Sequence, residues 1–190
     1  WLMKKLILLI LLFSTFAQAQ ESTLNPRKNE VRIDVLQAIL SSKASISYER
    51  FLENDFSVGF NVNFTSSSKV KSDFDEGYTN NLPKYEFNPY VRYALSKGKK
   101  SYYFAEVFGS YNGGEYKEIV YKIDGNLNGY YATEKSNYTD FGAGAALGYK
   151  MYFSDSFGME LLVGFGYNFA NTDKSPDKIS RVGLNLGYRF

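Results

Sequence analysis

The chain has 190 residues, 22 Lys and Arg against 20 Asp and Glu, a mean hydropathy of −0.32, and neither cysteine nor histidine. Lys4 and Lys5 fall in the first 19 residues, which hold no acid, so the remainder balances 20 bases with 20 acids and lacks the cationic surplus that binding nucleic acid requires. Without Cys or His there are no disulfides, thiolate nucleophiles, Cys-based zinc sites or Ser-His-acid triads.

Residues 3–19 read MKKLILLILLFSTFAQA. A basic start, a short apolar centre and the Ala17-Gln18-Ala19 site form the pattern of a cleavable signal peptide, and the apolar run is too short to span a bilayer. The expected division is a signal peptide over 1–19 (with Trp1 and Leu2 preceding its Met), a short periplasmic segment over 20–29 and one β domain over 30–190.

From residue 30 onward apolar side chains recur at every second position, the period of a strand with two unlike faces. Eight such segments are expected at about 30–40, 43–52, 56–66, 85–96, 101–112, 138–153, 157–169 and 178–190. In 56–65, Phe56, Val58, Phe60, Val62 and Phe64 oppose Ser57, Gly59, Asn61, Asn63 and Thr65. In 157–168, Phe157, Met159, Leu161, Val163, Phe165 and Tyr167 oppose Gly158, Glu160, Leu162, Gly164, Gly166 and Asn168.

The long segments run about 10–13 residues, whereas soluble strands average about five or six, and a tilted transmembrane strand needs about 9–11. The second face carries Gly, Asn, Ser and isolated charges in place of a solvated mix of Lys, Glu and Thr. Both features favour a barrel with its apolar face in lipid over a soluble sandwich. Closure is required because lipid cannot satisfy the N–H and C=O groups of an open edge. The expected fold is all-β: an eight-stranded antiparallel up-and-down transmembrane barrel. Short polar turns at 53–55, 97–100 and 154–156 alternate with longer links at 67–84, 113–137 and 170–177, the first link near Ser42 and Lys43 being the exception. This asymmetry puts both termini in the periplasm.

Leu184, Leu186, Tyr188 and Phe190 resemble the last strand of Gram-negative outer-membrane proteins, and Phe87–Tyr93 (FNPYVRY) and Ser47–Arg50 (SYER) resemble strand motifs of small OmpA/OmpX-type barrels. The resemblance covers about 30–190. It implies an outer-membrane location, contact with outer-membrane lipids and recognition of Leu184, Leu186, Tyr188 and Phe190 by the barrel-assembly machinery, but it carries no activity.

The chemistry-bearing candidates are charges on the inner face: Arg32, Asp34, Glu49, Arg92, Glu106, Lys150, Glu160 and Arg189. They read either as a proton path, ion gate or paired-carboxylate hydrolase site, or as a salt-bridged plug. The plug is favoured because side chains fill an eight-stranded barrel and buried charges must pair. A serine without His needs another base, and Lys150 is the one inward Lys, with no inward Ser evident beside it. No cofactor or metal is called for.

Higher in the lumen, Asn61, Asn63, Gly142, Gly144, Gly164, Gly166 and Asn185 are small and leave room either for a ligand or for rings. Alternation resumes at 116–123 and again at 130–138, with Asp124-Gly125 and Asn128-Gly129 as turn residues. The fifth and sixth strands are therefore expected to continue as a protruding hairpin that either recruits an extracellular protein partner or shields the mouth. Aromatic girdles are expected from Tyr48, Tyr93, Tyr103, Tyr149, Phe153, Phe157, Tyr188 and Phe190 below, and from Phe64, Tyr85, Tyr111, Tyr138 and Tyr167 above.

The sequence thus points to a monomeric, non-enzymatic barrel with a closed lumen and a structural or surface-contact role through 113–137 and 67–84. The alternatives are a carrier or narrow pore for small or hydrophobic molecules and, remotely, a lipid-modifying enzyme.

Overall fold

The computed structural model describes residues 27–40, 43–65, 67–96, 98, 100–125 and 128–190. The signal-peptide expectation, most of the 20–29 segment, Ser66 of the third expected strand, and Ser42, Lys97, Lys99, Asn126 and Leu127 of the expected links lie outside them. Among the described residues the strands are β1 (Asn29–Asp34), β2 (Lys43–Phe51), β3 (Phe56–Thr65), β4 (Asn81–Ala94), β5 (Ser101–Ile123), β6 (Gly129–Tyr152), β7 (Phe157–Asn168) and β8 (Lys178–Arg189). Each pairs antiparallel with its sequence neighbour, and β1 pairs with β8 to close the barrel. Two helices accompany them, α1 (Val35–Leu40) between β1 and β2 and α2 (Ser68–Asp75) between β3 and β4.

The period-two pattern sets the faces. Val58, Phe60, Phe87, Val91, Val107, Leu147, Leu161, Val163 and Phe165 point outward and are exposed. Their alternates Ser57, Asn61, Asn88, Arg92, Phe108, Ala146 and Leu162 are buried in the lumen. A continuous outer surface of large apolar side chains suits hydrocarbon, not water. Outward rings pair across strands near the lower rim (Phe56 with Tyr93 at 5.0 Å, Tyr103 with Tyr149 at 4.9 Å, Phe157 with Tyr188 at 5.1 Å) and near the upper one (Tyr111 with Phe141 at 5.2 Å). Tyr138 is not part of the upper girdle. It is buried, because it has the same parity as the inward Asp140, and Phe141 takes the outward place.

The first strand is shorter than its pattern suggested. It ends at Asp34, and Val35–Leu40 is α1 instead of a continuation. The alternation lapses there into adjacent apolar pairs (Val35-Leu36, Ile39-Leu40), and the Asp34 carboxylate accepts the Gln37 N–H at 3.0 Å, the bond of a helix N-cap. The first link therefore joins the longer class. Link 67–84 is likewise not all loop. Ser67 caps α2 through the Val70 N–H, and β4 starts at Asn81, with a register shift between Pro83 and Tyr85. On the opposite rim, the β2–β3 turn puts Asn54 and Asp55 at φ 59° and 67°, a left-handed conformation that these residues tolerate.

Leu147 and Leu161 are 63% and 51% exposed on the outer face. Leu147→Arg or Leu161→Arg should each cost about 2–4 kcal/mol in urea unfolding from lipid vesicles, the penalty for an arginine near the bilayer midplane. A neutral effect would invert the face assignment.

Candidate functional site

The lower lumen is packed with charge. Arg32 on β1 reaches Glu30 (3.0 Å), Glu49 and, through Nε, Glu160 (3.6 Å), and its Nη2 donates to the Tyr90 hydroxyl at 2.5 Å. Arg92 on β4 donates to Glu106 (2.7 Å) and Glu49 (2.9 Å) and grips both oxygens of Glu160 (2.7 and 3.0 Å). Lys150 on β6 touches Glu30 (2.9 Å), Glu49 (3.0 Å) and Glu160 (3.2 Å). Arg181 on β8 holds the other oxygen of Glu106 at 2.6 Å.

Four carboxylates and four cations thus form one neutral, buried network. Rings complete it: the Arg92 guanidinium lies 4.5 Å from the Tyr90 centroid and 4.3 Å from that of Phe104, and Arg181 lies 4.8 Å from Phe108. Stacked planar cations of this kind keep hydrogen-bonding edges free for carboxylates.

Six of the eight charges singled out from the sequence meet here: Arg32, Glu49, Arg92, Glu106, Lys150 and Glu160. Two do not. Asp34 makes no ion pair among the described residues and accepts the backbone N–H groups of Gln37 and Leu184 (3.3 Å), serving the end of β1. Arg189 is half-buried at the lower rim, where it donates to the Arg27 carbonyl (2.8 Å) and the Tyr152 hydroxyl (3.3 Å) and stacks 3.9 Å from the Phe51 centroid. Alternation placed both on the inner face but could not tell the middle of a strand from its end. Glu30 and Arg181 were the omissions. Glu30 stands two residues before Arg32 and Arg181 two before Gly183, so the same parity would have found them.

Glu30, Glu49 and Glu160 bring one oxygen each within 4.8 Å of one another, close enough to suggest a metal. Each is already shared with Lys150 and an arginine, so an added dication would sit among three positive charges. The arrangement is a charge-neutral plug with no vacant ligand set.

The upper lumen divides in two. On the β5–β7 side the glycines leave no room, because a ring fills the space at Gly144 and neighbouring backbone and side chains fill it at Gly142, Gly164 and Gly166. A Cβ on Gly144 would lie 2.5 Å from the Phe108 ring, and one on Gly148 would lie 2.2 Å from that of Phe104. Beside β1–β4 and β8, a small polar cavity of about 20 Å³, open to bulk solvent, lies among Asp34, Ser45, Asn61, Asn63, Glu86 and Arg181. Asn63 gives its amide N–H to Glu86 at 2.8 Å, and its buried Oδ1 has no partner among the described residues.

Above the barrel, β5 and β6 stay paired residue for residue from Gly113 opposite Thr139 to Ile123 opposite Gly129, which makes a long protruding hairpin. The face that continues the outer wall exposes Ile119, Tyr121, Ile123 and Tyr131, with the two tyrosines edge to face at 5.3 Å. Lys117 and Lys135 stand opposite each other at its base, a repulsive pairing that the end of α2 relieves. Lys117 donates to the Phe74 carbonyl and, at 3.1 Å, to that of Asp75, while Lys135 meets the Asp75 carboxylate at 2.8 Å. Phe74, fully buried, lies beneath both ammonium groups.

The chain belongs to the DUF3575 family, described as a protein of unknown function, which matches residues 5–187. No curated protein sequence matches it. Among solved structures, the N-terminal β-barrel domain of Pseudomonas aeruginosa OprF is similar at 13% identity and a TM-score of 0.50, covering 86% of this chain and 98% of that one. Neisserial surface protein A gives 10% identity and a TM-score of 0.49 over 86% and 95% of the two chains. Yersinia pestis Ail gives 15% and 0.38 over 86% and 99%. The fold is that of the small eight-stranded outer-membrane barrels.

Removing Arg92 would leave Glu49, Glu106 and Glu160 short of a cation. Arg92→Leu should cost about 3–5 kcal/mol, and adding Glu160→Gln should recover part of that loss in a double-mutant cycle by urea unfolding in vesicles. Strictly additive effects would mean that the pair does not interact.

Proposed function

We propose that this is an exported outer-membrane barrel with a sealed lumen and a non-enzymatic role, presenting the hairpin at 113–137 and the α2 link at 67–84 to an extracellular protein partner. The observation that carries the reading is the interlocked network of Glu30, Arg32, Glu49, Arg92, Glu106, Lys150, Glu160 and Arg181. It occupies the lower lumen and leaves no charge unmatched to attract a permeating ion. A catalytic role is disfavoured because the carboxylates are already bound to cations and no histidine is present as base. In this reading the chain is a monomer, 1–19 is a cleaved signal peptide, both termini are periplasmic, and Leu184, Leu186, Tyr188 and Phe190 are read by the assembly machinery.

The hairpin supports a contact role because its exposed apolar strip is held rigid from below. The hydrogen bond from Lys135 holds the Asp75 carboxyl below the usual aspartate range. A carboxyl whose pKa is depressed on folding stabilises above its unfolded pKa and loses that contribution as pH falls through the folded value. Amide exchange at 68–75, corrected for intrinsic rates, should therefore be unchanged down to about pH 5 and rise below about pH 3. A rise already at neutral pH would remove Asp75 from the buttress.

In planar bilayers the purified barrel should show no steady channel openings, and photo-crosslinkers at Tyr121 or Tyr131 in intact cells should capture one discrete protein band. Steady conductance would overturn the sealed lumen, and absence of a captured protein would overturn the contact role. Deleting Phe190 should reduce the heat-modifiable, folded form on gels. An unchanged yield would refute the assembly role of that residue.

A further inference from the structure

The β5–β6 hairpin leaves the barrel with two edges that differ in their protection. β4 last pairs with β5 at Asn81 opposite Tyr116, and the Lys117 N–H donates to the Asn80 carbonyl at 2.8 Å. Odd residues of β5 therefore aim their backbone groups toward the β4 side. Even ones aim toward β6, as the Asp124 N–H does in donating to the Asn128 carbonyl at 2.9 Å. Above Lys117 the edge-directed residues are Ile119, Tyr121 and Ile123, all exposed, and among the described residues no strand is in register with them on that side. Sheet edges are commonly guarded by Lys, Pro or a bulge. The corresponding positions of β6 include Lys135, tied to Asp75 at 2.8 Å, whereas the β5 edge carries three residues of high β propensity and no such guard.

This edge is complementary to itself. In an antiparallel pair, edge-directed residues face edge-directed residues, so two copies can meet only in registers centred on a residue. Centring on Val120 sets Ile119 opposite the second copy's Tyr121 and Glu118 opposite its Lys122. Centring on Tyr121 sets Glu118 against Asp124, centring on Lys122 sets two lysines face to face, and centring on Ile119 demands the Lys117 N–H that Asn80 already holds. Glu118 also lacks a cation of its own. It stands opposite Glu134 in the hairpin, and Lys122 is bound to Glu134, which leaves Glu118 no ammonium among the described residues. Lys122 is 41% exposed and has three donors, enough to hold Glu134 and the second copy's Glu118 together.

The direction of this pairing fixes where the second copy stands. A two-fold axis along the membrane normal would run both β5 edges the same way with no offset. A parallel ladder needs an offset of an odd number of residues, so two copies in one membrane do not zip along this edge. The axis of an antiparallel pair is perpendicular to the sheet, which here continues the barrel wall upward. That axis lies in the membrane plane, and a half turn about it reverses the membrane normal.

We propose that the β5 edge over 118–122 is a homophilic docking surface, which joins two copies of this chain from facing membranes into one sheet ordered β6–β5–β5–β6. Ile119 and the second copy's Tyr121 exchange both backbone bonds, and Glu118 meets its Lys122. The barrel stays a monomer within its own membrane. This names the partner of the hairpin and rests on the contact role proposed above.

The barrel is folded into two vesicle populations carrying donor and acceptor dyes, with folding checked by heat-modifiable gel mobility. Vesicles should cluster when both populations carry the barrel and not when one is bare lipid. Glu118→Lys and Lys122→Glu should each slow clustering of like with like about tenfold, because two cross-strand ion pairs become two repulsions. Mixing the two variants rebuilds both pairs and should return the rate to within about twofold of the unaltered barrel, a rescue that misfolding cannot mimic. Val120→Cys, clean in a chain without cysteine, should join vesicles by a reducible disulfide, since the two Val120 Cα atoms lie about 4.5 Å apart in this register. No clustering of folded vesicles, no rescue on mixing, clustering with bare lipid, or a disulfide at Tyr121→Cys in place of Val120→Cys would overturn the pairing. In intact cells the band captured at Tyr121 should be a dimer of this chain. A band containing a different protein overturns self-recognition and leaves the contact role standing, whereas absence of any band removes both.

Discussion

A sheet immersed in hydrocarbon has no solvent for its backbone, and this constraint organises the molecule. Every N–H and C=O of the wall must find a partner within the wall, which forces the eight strands to close, and closure of only eight strands makes a lumen that side chains must fill. The outward positions then carry apolar side chains because their neighbour is lipid. The inward positions carry small, polar or charged groups because the space is narrow and enclosed.

Within that enclosure the charges cannot be solvated, so they neutralise one another. Arg92 spans Glu49, Glu106 and Glu160, Lys150 spans Glu30, Glu49 and Glu160, and Tyr90, Phe104 and Phe108 fill the space around the guanidinium groups. The result is a floor of matched charge beneath a small polar cavity. With the lower lumen filled in this way, the proposed contact role falls to the hairpin beyond the wall.

Much of this was legible in the sequence because a period of two is both local and strict. It fixed the faces of β3, β7 and β8, and the inward direction of Glu106 on β5, from residue identity alone. The end of β1 was not legible, since Val35–Leu40 is apolar and β-branched enough to read as strand. What turns it into helix is Asp34 taking the Gln37 N–H, together with the position of α1 against β8. Pairing partners were equally hidden. Parity puts Arg32, Asp34 and Arg189 on one face, but only the register between strands shows that Arg32 sits among glutamates while Asp34 and Arg189 serve strand ends. The glycines of β6 left two readings open for a related reason. Gly144 and Gly148 are small because rings from β5 occupy their space, and alternation along β6 carries no information about β5.

The proposition beneath all of this is that the outward apolar face touches acyl chains. Fluorescence quenching by lipids brominated along the chain tests it most directly, with Leu161→Trp as reporter in vesicle-folded protein. The added emission should be quenched most strongly by lipids brominated near the bilayer centre. Emission indifferent to brominated lipid would contradict the lipid-facing assignment and, with it, the closed barrel as a membrane wall.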